Sequence, residues 1–365
     1  MFSRKYVSVE EVYHSLLFGG GVYKWHGDVV QDPLKGDPND RSTSPLLVSM
    51  LSGERFFAKR FDADMLELEK YRACILNPIF SDMGQWPCDI IRLEDAQLEH
   101  FGLFVRQEYT DVPTPKVRWT GRYALLFPYG MNRRLVSGEA RLAGANRELG
   151  WKSPAIREMA VQITGAIDRM NIVGYLYADL HFSRLFFGGE WCYLGFSNLV
   201  YPISDLENPL TERTRAPARG EYPLEFADPA FARGTIDAID MRSQNYGLAA
   251  LLFYLLLGRY PYDGNLTEHM IDDDPISHYD KLEAFLDTPL FVFDPKNHDN
   301  WLGDNIRRNR ETLALWDELP PDMRFFFTEA LSSDSVRRVS LDVPKPRAWM
   351  RRFAEHGWTS QSEVS

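Results

Sequence analysis

The sequence predicts an α+β protein in two lobes, a small strand-rich one followed by a larger helical one. Three observations carry this. Up to Phe127 the apolar residues fall in short runs rich in β-branched and aromatic side chains, the composition of strands. Pro128-Tyr129-Gly130 then punctuates the chain as a turn or hinge. Beyond it apolar residues recur at helical spacing, at Ile156, Met159, Ala160, Ile163, Ile167 and Met170. The lobes are drawn at 1–130, with one helix among the strands, and at 131–358, leaving 359–365 as a disordered tail. Ligands commonly sit between lobes, so a cleft is expected at the hinge.

Composition limits what such a chain does. Over 365 residues, 41 basic and 52 acidic side chains give a formal charge of −11, which argues against nucleic-acid binding, since that affinity comes mostly from Lys and Arg on phosphates. Three scattered cysteines, Cys74, Cys88 and Cys192, make neither a disulfide framework nor a zinc site, and a reducing, cytoplasmic setting is expected. The longest apolar run, the ten residues Leu248 to Leu257, is about half of what spans a bilayer, so no membrane is expected. It reads as a buried helix.

Taken in order, Phe18 to Tyr23 places Gly19, Gly20 and Gly21 before the β-formers Val22 and Tyr23. His26 to Ser44, rich in Asp, Pro and Gly, reads as a long loop. Strands are expected at Leu46 to Val48, Arg55 to Phe61, Asp89 to Arg92, Gly102 to Arg106 and Tyr123 to Phe127. Between the second and third of these lies a helix, Asp64 to Leu76, stopped by Asn77-Pro78 because proline disfavours helical geometry in its predecessor. In the second lobe Ser153 caps a helix with Pro154 at its first position. An irregular segment, Tyr175 to Arg184, precedes strand-like Leu185 to Phe187 and Trp191 to Leu194. A long surface loop is expected over 200–235, then the apolar helix, and further helices at 276–287, 306–316, 322–332 and 346–356.

Several of these segments, in this order, resemble the motifs of a protein kinase. Ala58-Lys59 ends a strand and is followed by a helix. Tyr177-Ala178-Asp179-Leu180 follows a long amphipathic helix, as the catalytic loop H-R-D-L-x-x-x-N does. Ala227-Asp228-Pro229 stands where the loop-closing A-P-E belongs, Ser243 to Pro261 resembles the central buried helix, and Asp334 to Ser340 carries Arg337-Arg338 where an arginine anchors that loop. The resemblance implies a bilobed kinase-like fold, with a small antiparallel sheet above a helical lobe. It implies that Lys59 contacts nucleotide phosphates and pairs with a helix glutamate. Glu69 is chosen because it shares a helix face with Leu66, Ala73 and Leu76, whereas Glu67 falls with Lys70, Tyr71 and Cys74. It further implies that Asp179 orients a substrate hydroxyl, that Gly19, Gly20 and Gly21 approach phosphates, and that Arg338, or Arg337, reaches an acid within Glu225–Asp228.

Trp86 to Asp89, Phe101 to Phe104 and Pro289 to Pro295 are similar to segments of bacterial kinases found beside von Willebrand A-type proteins and metal-dependent phosphatases, which implies a partner of one of those kinds. Asp179-Leu180-His181 also fits the first half of the loop of aminoglycoside and choline phosphotransferases; the long loop at 200–235 favours the protein-kinase side.

The departures bear most on function. The position of the catalytic-loop asparagine is Arg184, and the metal-holding D-F-G reads Gly195-Phe196-Ser197. Magnesium ions bridging the phosphates are held by that Asp and Asn; here one ligand has lost its side chain and the other is a cation. Asn198 serves as a ligand only if the turn is shifted by three residues. The glycine loop is incomplete, Tyr177 replaces a histidine, and Gln244 replaces the aspartate that braces the loop. The expectation is therefore a pseudokinase, a regulatory or scaffold protein with no metal site and no required cofactor. The alternatives are an atypical serine/threonine kinase using ATP, and a nucleotide sensor that binds ATP without magnesium.

Overall fold

The computed structural model describes residues 12–31, 43–61, 65–77, 80, 86–94, 97, 123–129, 135–197, 200–203, 224–232, 239–266, 290–304, 306–332 and 343–359. The chain forms two compact units, Met1–Leu135 together with Leu194–Phe196, and Val136–Tyr193 together with Ser197–Ser365. The first unit therefore takes three residues, Leu194–Phe196, from the middle of the chain.

The first unit is an antiparallel sheet of six strands, β1 (Val12–His14), β2 (Val22–Gln31), β3 (Thr43–Ser49), β4 (Arg55–Phe61), β5 (Asp89–Arg92) and β6 (Tyr123–Pro128), ordered β1-β2-β3-β4-β6-β5. One helix, α1 (Met65–Leu76), lies in sequence between β4 and β5. Period-two alternation sorts the strands onto two faces. Phe56 and Ala58 pack with Tyr13, Tyr23, Leu47, Ile91, Ala124 and Leu126 on one; Phe57 packs with Ile90, Leu125, Phe127 and Tyr71 of α1 on the other. The loop expected over His26 to Ser44 is shorter than that. β2 runs through to Gln31 and bends at a bulge between Trp25 and Val29, where Gly27 adopts φ +92°. A polar composition conceals this strand, because a bulged strand loses the regular alternation. The strand expected at 102–106 and the helix at 276–287 lie outside the described residues.

The second unit is mainly helical: α2 (Gly138–Gly144), α3 (Pro154–Ile172), α4 (Met241–Leu257), α5 (Arg307–Glu318), α6 (Pro321–Leu331) and α7 (Pro346–Glu355). It also carries a three-stranded sheet and a pair, formed from β7 (Val136–Ser137), β8 (Tyr175–Tyr177), β9 (Leu185–Gly188), β10 (Trp191–Leu194) and β11 (Val200–Pro202). The apolar run is indeed the core helix. α4 starts on Asp240, whose carboxylate accepts the Arg242 and Ser243 amides at 2.9 Å, and stops at Gly258 in the left-handed region, φ +70°. Ser153 occupies the N-cap of α3 without a side-chain capping bond, so Pro154 alone marks that start.

Phe253 of α4 is fully buried and packs against Phe291, Phe293, Trp316 and Phe327 at ring-centroid distances of 5.3–6.1 Å. Phe253→Ala should therefore cost about 3–5 kcal/mol in urea denaturation. Leu51→Ala, in an exposed turn, should change stability by about 0.5 kcal/mol or less.

Candidate functional site

Lys59 lies opposite Leu125 in the β4–β6 register, and alternation places it on the face of Phe57 and Phe61. This is the face that α1 covers: the Phe61 and Tyr71 rings meet at 4.8 Å. Lys59 is half-buried there. Glu69 does not join it. It is exposed and pairs with Arg72 one turn on, at 3.6 Å, both side chains being 52% exposed. The buried stripe of α1 is Tyr71 and Cys74, flanked by half-buried Leu68 and Ile75, whereas Ala73 and Leu76 are exposed. The choice of stripe weighed two leucines above one tyrosine. Burial of an aromatic ring decided otherwise. By spacing, the inward stripe is the one that Glu67 shares; the Glu67 side chain lies outside the described residues.

Gly19, Gly20 and Gly21 form the β1–β2 turn, closed by the Gly21 amide on the Phe18 carbonyl and the Ser15 amide on the Gly21 carbonyl, both at 2.9 Å. Gly20 has φ +100°, and a Cβ on Gly21 would stand 2.8 Å from that of Ser15. The Ser15 hydroxyl accepts the amides of Leu17 and Phe18 and donates to Asp89 Oδ1 at 2.8 Å. Asp89 also accepts from the Tyr23 hydroxyl and the Ile90 amide, both at 2.7 Å. Burial holds the Asp89 carboxyl above its ordinary range despite these donors, and burial together with that carboxyl raises the Tyr23 hydroxyl. Lys24, Val48 and Arg55 are level across β2, β3 and β4. The turn also meets β5: Ser15 bridges to Ile91, and the Leu16 amide donates to the Ile90 carbonyl at 2.8 Å, Ile90 being level with Leu125 and, through it, with Lys59. Leu17 of the same turn packs against the Phe57 cluster, on the face that carries Lys59.

Gly195-Phe196-Ser197 contributes an aromatic anchor. The Phe196 ring packs on Tyr71, Phe127 and Trp86 at 5.4–5.7 Å, and Trp86 Nε1 donates to the Leu194 carbonyl at 2.8 Å. Sequence reading used Trp86 only as a mark of one branch; its part in holding this segment depends on a contact 108 residues away.

In the second unit β8 leads into Ala178-Asp179-Leu180-His181 and a 3₁₀ turn, Phe182–Arg184. Gln244, fully buried on α4, accepts the Tyr177 amide on Oε1 at 2.8 Å. An uncharged group thus supplies the brace. Asp179 is only 6% exposed, and Arg184 Nε donates to its Oδ2 at 3.0 Å. His181 Nδ1 accepts the Ser183 amide at 3.2 Å and lies 2.8 Å from the Ser183 hydroxyl. The residue in the asparagine position therefore neutralises the aspartate of its own loop.

Other candidates yield less. Burial pushes the thiols of Cys88 and Cys192 up to about 12, which removes both as nucleophiles at neutral pH. Among the described residues no group of three or more His, Cys, Asp or Glu could hold a metal ion, and no helix is long and apolar enough to cross a membrane. Asn198, Arg337 and Arg338 lie outside the described residues; within Glu225–Asp228, where the arginine was expected to find its acid, Asp228 is buried and accepts the Ala230 amide at 2.9 Å.

No family model matches the chain, and no curated protein matches it. Among solved structures it is similar to a "Twitchin kinase region from C.elegans (Fn31-NL-kin-CRD-Ig26)", at 14% identity and a TM-score of 0.49. The match covers 89% of this chain and 45% of that one, so the chain spans less than half of that structure's length.

Gln244→Leu should cost about 1–3 kcal/mol, because the buried Tyr177 amide loses its acceptor. Glu69→Ala should change stability by about 0.5 kcal/mol or less, as an exposed pair does. Thermal or urea unfolding of the two variants separates the brace from the surface charge.

Proposed function

We propose that this chain is a kinase-like regulatory module that does not transfer phosphate. One observation carries the reading: Arg184 stands at the metal-ligand position and spends its Nε on Asp179. The pair joins a carboxylate that is 9% exposed to a guanidinium that is 31% exposed, so losing the cation leaves a buried charge without its partner. An ion pair on the aspartate is not by itself what silences an enzyme. What silences it is that a guanidinium repels a divalent cation and Gly195 offers no side chain to hold one, while phosphoryl transfer depends on such ions to neutralise developing charge. The braced loop and the half-buried Lys59 are consistent with a fold kept for recognition. The partner in this reading is a protein, a von Willebrand A-type protein or a phosphatase, met in the cytoplasm.

Nucleotide binding without turnover is the second reading, favoured by the place of Lys59 on the α1-covered face. Purified protein incubated with ATP and magnesium or manganese should incorporate no phosphate into itself or a generic substrate. Any thermal shift with ATP should persist in chelator; at a hundred times the dissociation constant it corresponds to about 2.7 kcal/mol. Robust transfer that disappears in Asp179→Ala would establish an atypical kinase instead.

A further inference from the structure

We infer that the turn from His181 to Arg184 is a metal-independent phosphate site, in which Arg184 and His181 hold the phosphate chain of a nucleotide or of inorganic polyphosphate. The inference rests on the reading of 177–184 as a degenerate catalytic loop, and it concerns what that loop binds.

Arg184 has five N–H donors, and only Nε is engaged, by Asp179 Oδ2. Its two terminal amino groups have no partner among the described residues, and the side chain is 31% exposed. A planar guanidinium with two parallel donors left over is suited to bidentate contact with phosphate oxygens. His181 supplies a second donor. Its Nδ1 accepts the Ser183 amide, so the proton of the neutral ring is on Nε2, which has no partner among the described residues. His181 caps the turn that Arg184 ends, the Arg184 amide bonding to the His181 carbonyl at 2.9 Å. Both donors are therefore carried by one short turn, three residues apart in sequence, and the strand leading into it is braced at Tyr177 by Gln244.

Asp179 has a definite role in this site. Its carboxylate orients the guanidinium through Nε and competes electrostatically with an incoming phosphate. Neutralising it should strengthen anion binding, the reverse of what losing a catalytic aspartate does to a kinase. No divalent cation is needed, because the guanidinium carries the charge that magnesium supplies elsewhere.

Calorimetric titration of the full chain with sodium tripolyphosphate, ATP and adenosine, in chelator and in magnesium, tests this. Saturable binding of tripolyphosphate and ATP is expected in chelator, with none for adenosine. Arg184→Gln should weaken it about tenfold or more, His181→Ala less, and Asp179→Asn should tighten it about three- to tenfold. Because Arg184→Gln leaves Asp179 without its cation, the double variant Asp179→Asn/Arg184→Gln, which keeps the turn neutral, must also lose binding while unfolding like the parent. Equal affinity for ATP and tripolyphosphate identifies the phosphate chain as the whole ligand; tighter ATP identifies a nucleotide. Binding seen only with magnesium, binding unchanged by Arg184→Gln, or no binding in chelator would overturn the inference. The last result leaves a regulatory module without phosphate transfer intact, and transfer activity would remove that reading without touching metal-free binding.

Discussion

A buried, uncharged hydrogen bond, from the Tyr177 amide to Gln244 Oε1, braces the start of the loop that carries Asp179 and Arg184. Gln244 is on α4, the most deeply buried helix, capped by Asp240 at one end and stopped by Gly258 at the other. A carboxylate in its place would bring a second negative charge into the interior near Asp179, at a desolvation cost that a bound metal would offset. With glutamine the acceptor remains and the charge does not. Asp179 then needs only one cation, and Arg184 supplies it from within the loop. Gln244 thus braces the loop without adding a charge, and Arg184 pairs with the one carboxylate the loop carries.

The first unit shows a comparable economy on the two faces of one sheet. The Asp89 carboxyl gathers Ser15, Tyr23 and the Ile90 amide, and so ties the glycine turn to the far strand of the sheet. On the opposite face Phe57, Phe61 and Phe127 make an aromatic bed for Tyr71 of α1 and for Phe196. Lys59 lies half-buried on that face. Leu17 of the glycine turn packs against this second cluster, so the turn touches both the polar tether and the aromatic bed.

Sequence by itself determined the ordering of strands before helices, the lysine strand, the buried helix and the polar loop around Asp179. These follow from local chemistry: proline and glycine punctuation, alternation of period two, apolar recurrence at helical spacing, and an apolar run too continuous for a surface. Each is a property of neighbouring residues. Tertiary structure alone decided which stripe of α1 turns inward: Tyr71 and Cys74 are buried, whereas Ala73 and Leu76 are exposed. It decided that β2 continues through a bulge, that Trp86 meets Leu194, and that the triglycine turn is tied to β5 through Ser15. It also showed Arg184 bonded to Asp179 rather than merely standing in for an asparagine. All of these are pairings between residues distant in sequence or side-chain directions set by packing, and neither is encoded in the identity of any one segment.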